Sequence, residues 1–163
     1  VIKTYIKPHE FGDIMDLNQQ PGIKIISIYQ IKCSFMRFPR SSGSISNEFK
    51  FSYRYDCQSE LAGLGELTLV SSGKDINDGG KVYESQIVYA GSYTVDPDSQ
   101  NMDLQEFLRF NAPATLIPYV RESLSSLSAK AGLPAIVLPP INVLALTNPI
   151  EDKQTKLDGN HTK

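Results

Sequence analysis

From Ile23 onward the chain alternates. Odd positions read Ile23, Ile25, Ser27, Tyr29, Ile31, Cys33 and Phe35, against Lys24, Gln30, Lys32 and Ser34 on the even side. A two-residue period marks a strand with one face turned to a core. Ile26 and Ile28 make the first half apolar on both faces. This stretch is therefore expected to be covered from both sides. Pro39-Arg40-Ser41-Ser42-Gly43 has the chemistry of a loop. The second alternation is the cleanest: Phe49, Phe51, Tyr53, Tyr55 and Cys57 against Lys50, Ser52, Arg54 and Asp56. It is aromatic on one side and charged on the other. Leu64 to Val70 predicts a third strand, closed by Ser71-Ser72-Gly73, with Gly63-Leu64-Gly65 read as a turn. Asp75 to Gly80, rich in Asp, Asn and Gly, is a turn by composition. Lys81 to Val95 predicts a fourth strand, with Tyr83, Ile87, Tyr89, Tyr93 and Val95 in one phase and Gly91 as a bulge marker.

The period changes after Asp96-Pro97-Asp98. Met102 to Phe110 allows a short helical turn, and Asn111 with Pro113 has the form of a helix start. Val120, Leu124, Leu127 and Ala131 lie on one helical face, with Arg121, Glu122, Ser125, Ser128 and Lys130 on the other sides. Pro118 conflicts with a straight helix, at a cost of about 3 kcal/mol in an interior, so it is expected to open or kink it. Gly132 followed by Pro134 stops the helix. Beyond it Leu133, Ile136, Val137, Leu138, Ile141, Val143, Leu144 and Leu146 crowd a stretch broken by Pro134, Pro139, Pro140 and Asn142. That stretch is too interrupted for a helix, so it is expected to be extended. Either it covers the chain's own core or it offers a groove for extended polypeptide, together with Phe51 and Tyr53.

The expected class is α+β: a four-stranded antiparallel sheet, then a long helix and an extended apolar C-terminal segment. Residues 1–22 form an irregular lead-in, 23–146 the domain, and 147–163 a polar tail expected to be disordered. A single helix leaves much of such a sheet uncovered, which together with the doubly apolar first strand points to self-association.

At 163 residues and 40% hydrophobic the chain can bury one core. A net charge of −2 lacks the basic excess of a nucleic-acid binder. No apolar run reaches the length of a membrane span, and the first residues lack the apolar region of a secretory signal. Cys33 and Cys57 have no metal-like spacing; both fall on the apolar phase of strands, so buried free thiols are expected, as in a reducing cytoplasm. His9 and His161 lie near opposite ends, and the carboxylate pairs Asp96/Asp98 and Glu151/Asp152 sit in a loop and the tail. There is no phosphate-binding loop. No catalytic residue, metal or cofactor is expected.

Two stretches carry a resemblance. Leu116-Ile117-Pro118-Tyr119-Val120-Arg121-Glu122, followed by Gly132-Leu133-Pro134-Ala135-Ile136-Val137-Leu138-Pro139-Pro140-Ile141-Asn142-Val143, resembles the SecB family of protein-export chaperones in order and spacing. The likeness extends colinearly from Ile23 to Leu146. It implies a homotetramer built as a dimer of dimers, and an ATP-independent holdase that binds unfolded preproteins or one dedicated client, such as the antitoxin of a toxin–antitoxin pair. The alternative is an oligomeric adaptor with the same fold. Client binding is carried over onto Leu133, Ile136, Val137, Leu138, Ile141, Val143, Leu144, Phe51 and Tyr53. The oligomer interface is expected at Val120, Leu124, Leu127, Ile26 and Ile28. Export-type members place acidic residues by the first strand's Ser-Phe pair to dock the SecA motor. Here the neighbourhood is Lys32-Cys33-Ser34-Phe35-Met36-Arg37, which argues against that docking.

Overall fold

The computed structural model describes residues 22–39, 43–98 and 101–147; nearly all of the lead-in and the tail lie outside these. Four strands, β1 (Ile23–Arg37), β2 (Ile45–Cys57), β3 (Ala62–Asp75) and β4 (Lys81–Val95), precede three helices, α1 (Leu104–Phe110), α2 (Ala112–Lys130) and α3 (Val143–Thr147). The strands form one antiparallel sheet in the order β1-β4-β3-β2. β1 and β2 are thus opposite edges, although they are consecutive in the chain. The expected α+β class, four-stranded sheet and long helix are all present.

Alternation sorts the side chains onto two faces. Leu67 and Leu69 of β3, Tyr83 and Ile87 of β4, and Leu116, Val120 and Leu124 of α2 form the main core under the helices. A smaller cluster joins Tyr93 and Val95 to Leu104, Phe107 and Leu108 of α1. Two hydroxyls inside the core, Ser71 and Ser85, satisfy each other at 2.6 Å.

Three expectations about glycines and cysteines change. Gly63-Leu64-Gly65 is no turn but the start of β3, and β3 runs past Gly73 to Asp75. These glycines lie where rings and branched side chains press on the strand. A Cβ on Gly63 would sit 2.4 Å from Leu108 Cδ1, on Gly65 2.4 Å from the Tyr53 hydroxyl, and on Gly73 2.3 Å from the Tyr83 ring. Gly91 is likewise under the Tyr93 hydroxyl, and the register shifts fall elsewhere: in β1 between Ile25 and Ser27 and between Gln30 and Lys32, and in the β3–β4 pairing between Gly73 and Lys74. Cys33 and Cys57 are free but exposed. Both follow the alternation as expected, yet each lies on an edge strand that the helices leave open there. Desolvation still raises both thiols above their ordinary range, which disfavours the reactive thiolate.

The helices start and stop by local chemistry. Asp103 caps α1, its side chain accepting from the Glu106 N–H at 3.1 Å. Asn111 occupies the cap position of α2 but is itself helical and makes no side-chain cap bond, because the chain passes there from α1 into α2. Pro118 neither opens nor ends α2; it lies inside it. It and Ala114, whose carbonyl loses its usual donor, are both on the exposed side, where water can replace the bond. At the other end Gly132 has φ 72. The Gly132 N–H donates to the Ala129 carbonyl at 2.9 Å and the Leu133 N–H to the Ser128 carbonyl at 3.0 Å, the paired bonds of a Schellman stop.

Tyrosine hydroxyls fasten the sheet to the helices and strand to strand. Tyr53 donates to the Leu108 carbonyl at 2.7 Å, Tyr93 pairs with Thr115 at 2.6 Å, and Tyr83 donates to Asn47 Oδ1 at 2.9 Å. Burial pushes the ionisation of all three up from its ordinary range. For a group whose folded pKa is raised, the stabilisation is complete below the unfolded pKa, about 10 for tyrosine, and is lost as pH rises beyond it. Urea unfolding between pH 8 and 11 should therefore show stability flat in its tyrosine-linked part to about pH 10 and falling above. Gly73→Ala, which drives a methyl into the fully buried Tyr83, should cost about 1–3 kcal/mol in the same assay.

Candidate functional site

The apolar segment after α2 divides in two. Leu133, Ile136 and Leu138 are buried in the main core, while Pro134, Ala135, Val137 and Pro139 face out, Val137 at 71% exposure. A buried hydroxyl sets this register. Ser128 Oγ accepts from the Ile136 N–H at 2.9 Å and donates to the Ser125 carbonyl at 3.0 Å. Ser128 therefore lies on the buried stripe with Val120 and Leu124, not on an outer side. A polar residue eight positions on from Val120, in phase with the apolar stripe, was the sequence signal for it. Residues 134–142 belong to no helix or strand, as expected, but Val143–Thr147 closes into the short helix α3.

The C-terminal end of α2 has a second tether. Arg37, at the end of β1, donates from Nη1 to the Ala131 carbonyl at 2.6 Å. A cation at that position also complements the negative end of the helix. Nothing in the local pattern marks Arg37, since its partner lies far along the chain.

Between β2 and this segment lies an apolar shelf. Ile45, Phe49, Phe51 and Tyr53 of β2 and Ile141, Val143 and Leu146 of the segment pack on the core yet each keeps part of its surface open. α3 packs on β2 and α1, and Leu144 projects from α3 at 58% exposure. The expected client-binding set is thus split. Phe51, Tyr53, Ile141 and Val143 line the shelf, Val137 and Leu144 stand exposed, and Leu133, Ile136 and Leu138 are core, so they are corrected from groove to interior. The expected interface set is split too. Val120 and Leu124 are fully buried on the chain's own sheet and Leu127 packs against the same core. Val120 and Leu124 are thus core residues of the chain itself, while Leu127 stays half-buried at the core's margin. Ile28 is half-buried and packs on the core, whereas Ile26, in a β1 bulge, is 62% exposed.

The shelf is chemically plain. Among the described residues no three His, Cys, Asp or Glu side chains gather in a way that could hold a metal. The Tyr53 hydroxyl in the shelf already donates to the Leu108 carbonyl. What the arrangement offers is apolar area and an edge-strand flank.

Residues 16–153 match the family model described as preprotein translocase subunit SecB. The chain belongs to the SecB family. It is similar over 49 residues, at 41% identity, to an uncharacterized protein of Methanocaldococcus jannaschii, covering 30% of this chain and 32% of that one. Over 89 residues it is 35% identical to the protein-export protein SecB of Alcanivorax borkumensis, covering 55% and 56%. Over 127 residues it is 25% identical to the protein-export protein SecB of Caulobacter vibrioides, covering 76% and 77%. The chain therefore spans about a third and about half the length of the first two relatives. Among solved structures, a SecB-like chaperone of Mycobacterium tuberculosis, in complex with a ChAD peptide from the HigA1 antitoxin, superimposes with a TM-score of 0.63. That match has 14% identity and covers 74% of this chain and 91% of the other, so it establishes a shared fold. In this chain one cation of the first strand's basic neighbourhood, Arg37, is engaged at the end of α2.

Ser128→Ala should leave the Ile136 N–H without its acceptor, at a cost of about 1–3 kcal/mol in chemical denaturation. Ser125→Ala, which removes a hydroxyl outside this link, should stay within about 0.5 kcal/mol.

Proposed function

We propose that the chain is an ATP-independent holdase that keeps an extended, unfolded polypeptide on the shelf formed by β2 and the segment following α2. The observation that carries this reading is the half-covered stripe Phe49, Phe51 and Tyr53 beside Ile141 and Val143, in a protein of the SecB family. An apolar surface of this kind binds unfolded chains and not folded ones, and so shifts folding by mass action without nucleotide or catalysis. Many weak contacts along one client raise avidity without sequence specificity. Val137 and Leu144 add exposed apolar area on the same segment. The cellular setting we assign is the cytoplasm; among the described residues no helix is long and apolar enough to cross a membrane.

The client is either an unfolded preprotein awaiting export or one dedicated protein. The second version has its own support, since the fold is shared with a SecB-like chaperone in complex with an antitoxin peptide. The replacement of acidic residues by Lys32 and Arg37 on β1 weighs against recruitment of SecA. We further propose a homotetramer, a dimer of dimers in which β1 carries the first contact. Ile25, Ile26 and Ile31 are exposed along that edge strand, an arrangement that folded proteins ordinarily protect or pair.

Stoichiometric protein should suppress light scattering of a chemically unfolded client in the absence of ATP; undiminished scattering would remove the holdase reading and leave an oligomeric adaptor. Val137→Asp and Leu144→Asp should each weaken client binding roughly tenfold, the equivalent of about 1.4 kcal/mol, with stability changed by no more than about 0.5 kcal/mol. Ile136→Asp should unfold the protein instead, because it buries an unpaired charge. In sedimentation velocity the protein should run as a tetramer at micromolar concentration, and Ile26→Asp should lower the assembly state.

A further inference from the structure

β2 is one of the two edges of the sheet, and among the described residues only β3 pairs with it. Folded proteins ordinarily blunt such an edge with bulges, prolines or inward-pointing charges. β1, the opposite edge, has two register shifts in its pairing. β2 has none of these devices. Its register with β3 runs unshifted from Ile45 to Cys57, without a proline. Its charged residues, Glu48, Lys50, Arg54 and Asp56, alternate with the core-facing aromatics and so lie on the face turned away from the helices.

The backbone of β2 has a fixed phase. Just beyond the two ends of the ladder the Gln58 N–H donates to the Ala62 carbonyl at 2.9 Å, and the Ile76 N–H to the Ser44 carbonyl at 3.0 Å. Both bonds continue the β2–β3 register, in which hydrogen-bonded and non-hydrogen-bonded pairs alternate. The even residues of β2 therefore bond to β3. The odd ones, among them Phe49, Phe51 and Tyr53, aim their N–H and C=O groups at the open edge. These are the residues whose rings form the shelf, so apolar side chains and open backbone groups come from the same positions.

We infer, resting on the holdase reading above, that the client is held as a fifth strand on the free edge of β2, its backbone hydrogen-bonded to Phe49, Phe51 and Tyr53. Opposed residues of paired strands share a face. Every second client residue then places its side chain on the helical side, beside those rings and toward Ile141 and Val143. The residues between them lie on the outer face with Lys50, Ser52 and Arg54. The occupant that fits is an unfolded stretch with apolar residues at alternate positions and no proline among them, since each must donate its N–H. Main-chain bonds are indifferent to side-chain identity, so the edge adds affinity without narrowing the range of clients. A second copy of the chain fits less well. α3 packs on β2, so a copy paired in register would bring its own α3 to roughly one strand spacing, about 4.8 Å, from this one. Helices pack at about 8–10 Å. A bare extended chain brings no helix with it.

Backbone methylation of a bound peptide tests this on the full chain. The probe is a short peptide with valine at every second position and threonine or lysine between. N-methylation of the valines, whose amides face β2, should weaken binding about tenfold or more, and N-methylation of the intervening residues by less than about threefold. Equal effects of the two methylations would overturn the pairing and leave a client held on the shelf by side chains alone. Failure of the unmethylated peptide to bind would overturn it too, and the light-scattering assay separately decides whether the protein holds clients at all. Amide exchange followed by NMR reads the same edge from the protein's side. Without peptide, the Phe51 and Tyr53 N–H groups should exchange far faster than those of Lys50, Ser52 and Arg54, and the peptide should slow them about tenfold. Slow exchange at Phe51 and Tyr53 before peptide is added would mean that a second copy or another part of the chain already pairs there, which would overturn the proposal.

Discussion

A single helix is too narrow for the sheet beneath it. Four strands at about 4.8 Å spacing put the outer strand axes about 14 Å apart, whereas a helix with its side chains is about 10–12 Å across. α2 lies over the middle pair, β3 and β4, and both flanks are left over. The molecule treats the two flanks differently. Over β1 the leftover surface is polar: Gln30 donates to the Tyr89 hydroxyl at 3.0 Å, Tyr89 pairs with Ser123 at 2.9 Å, and Arg37 reaches the end of α2. Over β2 it is aromatic, and α1, α3 and the irregular segment between α2 and α3 come across to cover it in part.

The way that cover is attached follows from the prolines. Pro134, Pro139 and Pro140 bar the segment from a helix and cannot donate to a strand ladder. It is therefore held by inserting alternate side chains and by one hydroxyl, Ser128, that reads its backbone. Such a segment has few cooperative backbone bonds to lose, which places it toward the low-stability end of the fold. A surface beside it can accommodate chains of varied shape without disturbing the helix or the sheet.

The strands were legible because each alternation is local. The aromatic phase of β2 and the tyrosine phase of β4 can be read without knowing what they face. What alternation does not disclose is strand order. Cys33 and Cys57 have the phase of buried residues but sit on edges, and the separation of β1 from β2 across the sheet depends on pairing at long range. The glycines of β3 misled for the same reason, since Gly65 and Gly73 answer to Tyr53 and Tyr83 on neighbouring strands. In the candidate site the segment after Gly132 was visible as apolar and extended. Its division into core and surface was not, because the register is set by Ser128 and the Schellman stop together. The burial of Val120 and Leu124 on the chain's own sheet was hidden for a related reason: an apolar helical stripe is the same whether it meets its own sheet or a partner.

The pairing of β1 has a bearing on synthesis. Its neighbour in the sheet is β4, and Ile23 lies opposite Val95, so β1 leaves the ribosome long before its partner exists. β2, β3 and β4 follow one another as hairpins and can assemble early, while the first strand waits for the last. Contacts so distant in the chain slow folding. During that interval Ile25, Ile26, Ile28 and Ile31 travel unpaired on a nascent strand, the kind of exposed apolar segment that invites aggregation. The growing protein thus passes through a stage in which it is itself the sort of chain that a holdase captures.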